Sequence, residues 1–567
     1  MATSRGLGRR LGYNAFRGVR RILSRNVLDK RARERPLWLH VRIDSSIEEQ
    51  RTRGPHFGPD SPSLALVDLL RALDSARRDP RVEGVVLRFE GSPGGFARAA
   101  TLRRAIGGLR ASGKLVWAWA ESFDAMQYYV ACAADRVELP ESGGLHLVGL
   151  RSQQWFFREG LDKLGIRAEV VKIGSNKAAA EPFVRRNMSQ EQREQVDRFQ
   201  AELFDEIVSS IALGRGLEED TVRRHIDEGP HSAAEAVERG LFDGCSYPDE
   251  LERSLRALHA PVPESRAAFV GSGELEVPSP DDPEDDDTDG PLVDVASYFA
   301  LHAGDNGWQP LRSSLPRLAY VVAGGAIGRG RSQRGVASQR YAALLGELMR
   351  DDDTRAVVLR IDSPGGDAVA SDVLHHAVER LAARKPVVVT MGEVAASGGY
   401  YIAAAAHRIL AERVTLTGSI GVVGGKLDLS GLYRRLGIDV EVIERGERAG
   451  LHSETRGFTP EERRAVQEQM RAIYDTFKER VARGRSLEPA AVEAVAQGRI
   501  WSGERARSLG LVDALGGPLE AIAEACDRIG LAPSDRVVLD VYPHRSAFAG
   551  VRSLLGPFGA GARVHLD

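Results

Sequence analysis

The sequence predicts an α/β protein built as two tandem copies of one domain. Three observations predict it. Apolar runs of strand length alternate with segments of helical apolar spacing. Motifs of the first half recur in the same order in the second, displaced by 272 positions, as Tyr128 and Tyr400, Arg136 and Arg408, and Gly165 and Gly437 show. The alternation breaks at an acidic, proline-bearing stretch near residues 272–294. A motif order held at one offset over about 90 residues means a duplicated domain, because solenoid repeats are much shorter.

The totals set limits. A chain of 567 residues has room for two to four domains, and an apolar share of 43% is ordinary for a soluble protein. A net charge of -3 gives no argument for nucleic acid as a partner. Cys132, Cys245 and Cys526 are too far apart for a zinc spacing or a disulfide framework. No apolar run reaches the ~18 residues of a spanning helix, and the basic start has no apolar signal-peptide core behind it.

Residues 1–35 read as a basic amphipathic arm. Arg5, Arg9, Arg10, Arg17, Arg20, Arg21 and Arg25 accompany Leu7, Leu11, Ala15, Val19, Ile22 and Leu23 at helical spacing. This is the pattern of a segment lying on an anionic membrane surface; a disordered arm or a helix docked on its own protein is the alternative. Gly6, Gly8, Gly12 and Gly18 weaken the helix. From Pro36 the order is strand (37–43), helix (63–76), strand (84–89) and a glycine-rich turn. The first copy is bounded at 36–271. An acidic linker or loop follows at 272–312, with seven acidic residues from Asp281 to Asp289, too irregular to fix a metal site. The second copy covers 313–545, and a tail at 546–567 carries Leu554, Leu555 and Phe558 among glycines.

Three segments carry the repeat. VEGVVLRFEGSPGG (82–95) matches TRAVVLRIDSPGG (354–366), QYYVACAADRVEL (127–139) matches GYYIAAAAHRILA (399–411), and LDKLGIRAEVVKIG (161–174) matches LYRRLGIDVEVIERG (432–446).

The chemistry concentrates in MGEVAASGGYYIAAAA (391–406). An apolar run at 386–390 predicts a buried strand, 395–399 a small-residue turn, and the tyrosines and alanines after it a helix. Ser397 thus sits where a strand becomes a helix, beside residues without bulk and near helix-start N–H groups, a favourable place for a nucleophile. A Ser-Gly-Gly helix cap is the plainer reading. The first-copy counterpart of Ser397 is Ala125. Conversely, Lys177 in KIGSNKAAAEPF (172–183) corresponds to Ala449, and the neighbouring Arg448 stays protonated and cannot act as a base. Each copy lacks what the other supplies, which predicts a composite site.

A serine nucleophile needs a group to take its proton. His375, His376 and His407 lie nearest in sequence and read as structural. A lysine serves if burial lowers its pKa, and the alanines at 178–180 suit that, although most lysines are on the surface. DSPGG (362–366) follows a strand at 356–361 and precedes a helix, so its glycines let backbone N–H groups approach a developing oxyanion. Ser419 in LTGSIGVVG (416–424) aligns with Leu147; it can support the lysine amine or be an ordinary turn serine.

These residues resemble the signal peptide peptidase A family in its long, two-copy bacterial form. The resemblance covers roughly 36–542 and includes IWSGERARSLGLVD (500–513). It implies that Ser397 is the nucleophile, Lys177 the general base, Ser419 the lysine-supporting hydroxyl, and Gly366 and Gly398 the oxyanion-hole donors. It also implies two crotonase/Clp-protease-like domains, a bowl-shaped homotetramer, and serine and lysine meeting across neighbouring protomers. The family's usual substrates are cleaved signal peptides left in the membrane. Many long members carry an N-terminal membrane anchor; here the basic arm is expected to attach peripherally to a bacterial membrane, with peptides as substrates. The expected function is therefore a Ser-Lys endopeptidase that uses no metal, nucleotide or organic cofactor. A crotonase-type acyl-CoA enzyme and a non-catalytic membrane scaffold are the alternatives.

Overall fold

In a computed structural model of the chain, residues 37–50, 64–257, 292–299, 315–332, 334–532 and 535–543 are described. The basic arm, the acidic run at 281–289 and the tail lie outside them.

In the first copy the strands are β1 (Leu37–Ile43), β2 (Val82–Phe89), β3 (Leu115–Ala120), β4 (Arg136–Leu139), β5 (Arg167–Ile173), β6 (Gly244–Cys245) and β7 (Leu292–Asp294). The helices used below are α1 (Leu66–Arg78), α2 (Phe96–Ala111) and α3 (Gln190–Arg215). The second copy has β8 (Arg317–Gly324), β9 (Thr354–Ser363), β10 (Val387–Ala396), β11 (Arg408–Ala411), β12 (Leu416–Gly418), β13 (Val422–Asp428), β14 (Ile500–Ser502), β15 (Ala514–Leu515) and β16 (Val538–Tyr542). Its helices include α4 (Ala368–Ala382) and α5 (Gly398–Ala403).

The first sheet has the order β7-β1-β2-β3-β4-β6, all parallel. The second runs β14-β12-β10-β9-β8-β16, with β11 beside β10 and paired to β15. The same order around the two first strands is the repeat seen in three dimensions: α/β, two tandem copies, as expected. Parallel sheets are covered on both faces, which is why β9 and β10 read as nearly unbroken apolar runs and Val387, Val388 and Val389 are fully buried.

The acidic segment needs a correction. Leu292–Asp294, placed above in a 272–312 linker, pairs in parallel with β1, as β16 pairs with β8. The acidic run is thus interposed within the first copy, between the helix Pro248–Ala257 and its edge strand. Leu292, Val293 and Asp294 supply a pairing that β1 otherwise lacks on that edge, and Val293, Val295 and Tyr298 are buried in the first core.

The copies are joined by a strand pair rather than by surface contact alone. β5 of the first and β13 of the second run antiparallel, from Ile173 opposite Val422 to Arg167 opposite Asp428. This pairing brings the segment after β5, which contains Lys177, to the second copy. No helix among the described residues is long and apolar enough to cross a membrane.

Candidate active site

The turn at Ser397 is tighter than the sequence suggests. β10 does not stop at Thr390. It keeps β9 on one edge, through Met391 and again at Ala395, and trades partners on the other, from β11 up to Thr390 to β12 from Val394 to Ala396. Thr417 Oγ1 also donates to the Ala395 carbonyl at 2.7 Å. The backbone of 395–396, expected as turn, is therefore satisfied as strand. Ser397 alone makes the reversal, at φ 54° and ψ −117°, before α5 begins at Gly398. A positive φ costs a non-glycine residue energy and is held by its surroundings. Here the Ser397 N–H donates to the Gly418 carbonyl at 2.8 Å, and the Ser397 carbonyl accepts from Tyr401 at 2.9 Å.

Lys177 arrives from the other copy. The chain leaves β5 and is clamped by residues 497–500. The Asn176 N–H donates to the Gln497 carbonyl at 2.9 Å and the Ser175 N–H to Gln497 Oε1 at 3.1 Å. Gln195 on α3 accepts from the Ile500 N–H at 2.9 Å and donates to the Asn176 carbonyl at 3.4 Å. Sequence reading missed Gln497 and Gln195. Neither has an intrinsic chemical signature; they matter only because the fold sets them against the lysine turn.

Lys177 Nζ lies 3.0 Å from Ser397 Oγ, 2.9 Å from Ser419 Oγ and 2.8 Å from the Ser419 carbonyl oxygen. The residue is 5% exposed, and burial lowers its pKa to about 8. Desolvation alone accounts for that shift, and no ion pair joins Lys177 to a carboxylate among the described residues. A neutral amine has two N–H groups and one lone pair. Two donors toward the Ser419 oxygens leave the lone pair for the Ser397 hydroxyl, so the arrangement can take a proton from Ser397.

The pairing corrects one expectation. Serine and lysine here belong to one chain, not to neighbouring protomers, because the β5–β13 pairing is internal.

The glycine loop is the third part. Ile327 bridges to it: its N–H donates to the Gly365 carbonyl, and its carbonyl accepts from the Asp367 N–H. That bridge does not use the N–H of Gly366. The Gly398 N–H opens α5, where no acceptor exists within the helix. Gly365 packs so closely on the serine turn that a Cβ there would lie 2.7 Å from Gly398 N and 2.8 Å from Ser397 Cβ. Gly366 sits at φ 156°, and a Cβ on it would lie 2.1 Å from the Ile327 carbonyl oxygen. The loop thus packs on the serine turn through Gly365 and leaves no room for a side chain at 365 or 366, which brings backbone close to Ser397 as stabilisation of a developing oxyanion requires.

The nearby histidines do not join the site. His375 is buried, its ring edge-on to Tyr401 at 5.4 Å, and burial lowers its pKa to about 4. His407 Nδ1 accepts from the Val387 N–H, and His376 is exposed beside Glu379.

Known proteins share much of this sequence. The pattern of peptidase family S49 matches residues 108–261 and again 379–531. The chloroplastic serine protease SPPA of Arabidopsis thaliana is 32% identical over 84% of this chain and 67% of its own. A putative signal peptide peptidase SppA of Enterococcus faecium is 34% identical over 31% of this chain and 52% of its own. Among solved structures, a point mutant of ClpP1 from Listeria monocytogenes is 13% identical, with a TM-score of 0.25, covering 36% of this chain and 94% of its own.

Proposed function

The chain belongs to peptidase family S49 and is a serine protease, and from that premise we propose that it is an endopeptidase working through a Ser397–Lys177 dyad. The observation that carries the reading is the 3.0 Å contact of a carboxylate-free, buried lysine with the hydroxyl of a strained serine. Ser397 Oγ attacks the scissile carbonyl while neutral Lys177 takes its proton; the Gly366 and Gly398 N–H groups hold the oxyanion. Lys177, now charged, protonates the leaving amine, and water enters to hydrolyse the acyl-enzyme by the same path reversed. Ser419 directs the amine. Family membership displaces the acyl-CoA and scaffold readings. We assign residues 36–271, with the edge strand at 292–294, to the copy that supplies the lysine, and 313–545 to the copy that supplies the serine.

The proposed substrates are short apolar peptides of the signal-peptide class. Half-exposed Val369 and Val373 on the first turns of α4, directly after Gly366, offer apolar contacts beside the loop, and the Enterococcus relative's name points the same way. Hydrolysis of a fluorogenic apolar peptide, free and in anionic vesicles, tests the proposal. Below pH ~8, kcat/KM should rise about tenfold per unit, because only the neutral amine is a base, and level off above it. A preference for vesicle-held peptide should vanish on deleting residues 1–35. A rate that falls between about pH 7 and 8 would refute the lysine base.

The repeat also supports assembly. Adding 272 to β5 gives residues 439–445, and subtracting it from β13 gives 150–156. Neither stretch is a strand among the described residues, and both expose apolar side chains, with Ile443 83% and Trp155 68% accessible. We infer that 439–445 of one chain pairs with 150–156 of the next, as β13 and β5 do within the chain. A head-to-tail contact makes a ring when its rotation closes, and the proposed ring is a tetramer. Light scattering should give a tetramer for the native chain and a monomer for I443D and W155D; an unchanged mass in both variants would refute the pairing.

A further inference from the structure

Glu393 lies on β10, four residues before Ser397, yet its carboxylate belongs to the first copy's architecture. Oε2 accepts from the Ala97 N–H and Oε1 from the Arg98 N–H, each at 2.9 Å. These groups open α2, a 16-residue helix that has no side-chain cap of its own. The equivalent helix of the second copy, α4, is capped locally, with Asp367 accepting from the Ala370 N–H at 2.8 Å.

α2 follows Gly94-Gly95, the first copy's counterpart of Gly365-Gly366. The sequence accounts for that recurrence only as a need of the fold. Gly95 has φ −168°, open to any residue, so its backbone does not demand glycine. The carboxylate does: a Cβ on Gly95 would lie 2.3 Å from Glu393 Cδ. Glycine persists there because the loop receives a side chain of the other copy.

A second link runs beside the first. Arg98 Nη2 donates to Asp362 Oδ2 at 2.8 Å, and Asp362 Oδ1 accepts from the Val394 N–H at 3.1 Å. Asp362 immediately precedes the Ser363-Pro364-Gly365-Gly366 loop. Fully buried Arg360 donates to the Met391 carbonyl at 2.6 Å and pairs with Glu49 of the first copy at 2.7 Å. Residues 391–394 are thus tied to the first copy on one side, while 394–396 are tied to β12 on the other.

We propose that Glu393 is a positioning residue of the Ser397 site, and that the first copy's glycine loop and the N-terminus of α2 serve as its receptor. A serine held at positive φ relaxes unless the strand before it is fixed. Glu393 fixes that strand from the copy that also delivers Lys177, so one contact orients both halves of the site. Burial raises the Glu393 pKa, while the two N–H groups and the Arg98 charge favour its carboxylate and Asp362 opposes it.

The proposal rests on Ser397 being the nucleophile. Its test is steady-state peptide hydrolysis by the full chain and by E393A, E393Q, G95A and the double variant G95A/E393A. E393A should lower kcat about ten- to a hundredfold, as sub-ångström misplacement of a reacting group does, with KM within about twofold. E393Q should recover most of the loss, because its amide oxygen still accepts one N–H. G95A, which leaves Glu393 present but displaces it, should lower kcat alone yet add little to E393A. A native kcat in E393A, or losses from G95A and E393A that simply multiply, would overturn the proposal. A native chain that cleaves no peptide at all would overturn the Ser397 reading, and this proposal with it.

Discussion

Ser397→Ala and Lys177→Ala are expected to remove peptide hydrolysis, by about 10⁵-fold for the serine and about 10³-fold for the lysine. The serine supplies the attacking atom, so little but binding and the oxyanion groups remains without it. The lysine supplies the base and, once charged, the acid. Both variants should keep the fold, since Lys177 sits in a turn clamped through its neighbours' backbone. Mixing the two inactive chains within one assembly should restore no activity, because serine and lysine of one site come from one chain. Recovery of activity on mixing would mean that the site is built between chains. Lys177 also leaves a mark on stability. Its folded pKa of about 8 lies below the unfolded value near 10.5. The unfolded state therefore holds more protons between these values, and the native chain gains stability as pH rises through that window. K177M, which has no proton to lose there, should not, and the difference in thermal midpoint across pH 8 to 10.5 checks it.

Gly366→Ala should cost about 10²- to 10³-fold in kcat, the usual loss of one oxyanion donor. The new Cβ would meet the Ile327 carbonyl at 2.1 Å, and the loop must shift away from the serine turn. The Lys177–Ser397 contact does not run through Gly366, so the rise of kcat/KM toward pH ~8 should persist at a lower ceiling. A variant with native kcat would exclude Gly366 as an oxyanion donor. A variant that also lost the pH limb would show that the loop positions the dyad itself.

Much of this was legible from the chain. The strands at 37–43 and 356–361 and the helix from Ala368 were readable because parallel, doubly covered strands are apolar without interruption and the helices keep a 3.6-residue period. The duplication was legible because its motifs kept order and offset. Ser397 and Lys177 stood out as complementary differences between copies at aligned positions. What was misjudged depended on partners far away in sequence. Residues 395–396 look like turn until β12 takes their hydrogen bonds. Leu292–Asp294 looks like linker until β1 takes its edge. Gln497, Gln195 and Glu393 have no local signature at all.

The sequence by itself determined the two-copy α/β architecture and which residues are the candidates for the chemistry, since periodicity, repeat offset and residue type are properties of the chain. Only the tertiary structure decided that the lysine and serine of one chain meet. It also decided that burial lowers the lysine's pKa, and that a carboxylate from one copy occupies the glycine loop of the other. Desolvation and pairing are set by what surrounds a group, and here those surroundings come from residues more than two hundred positions away.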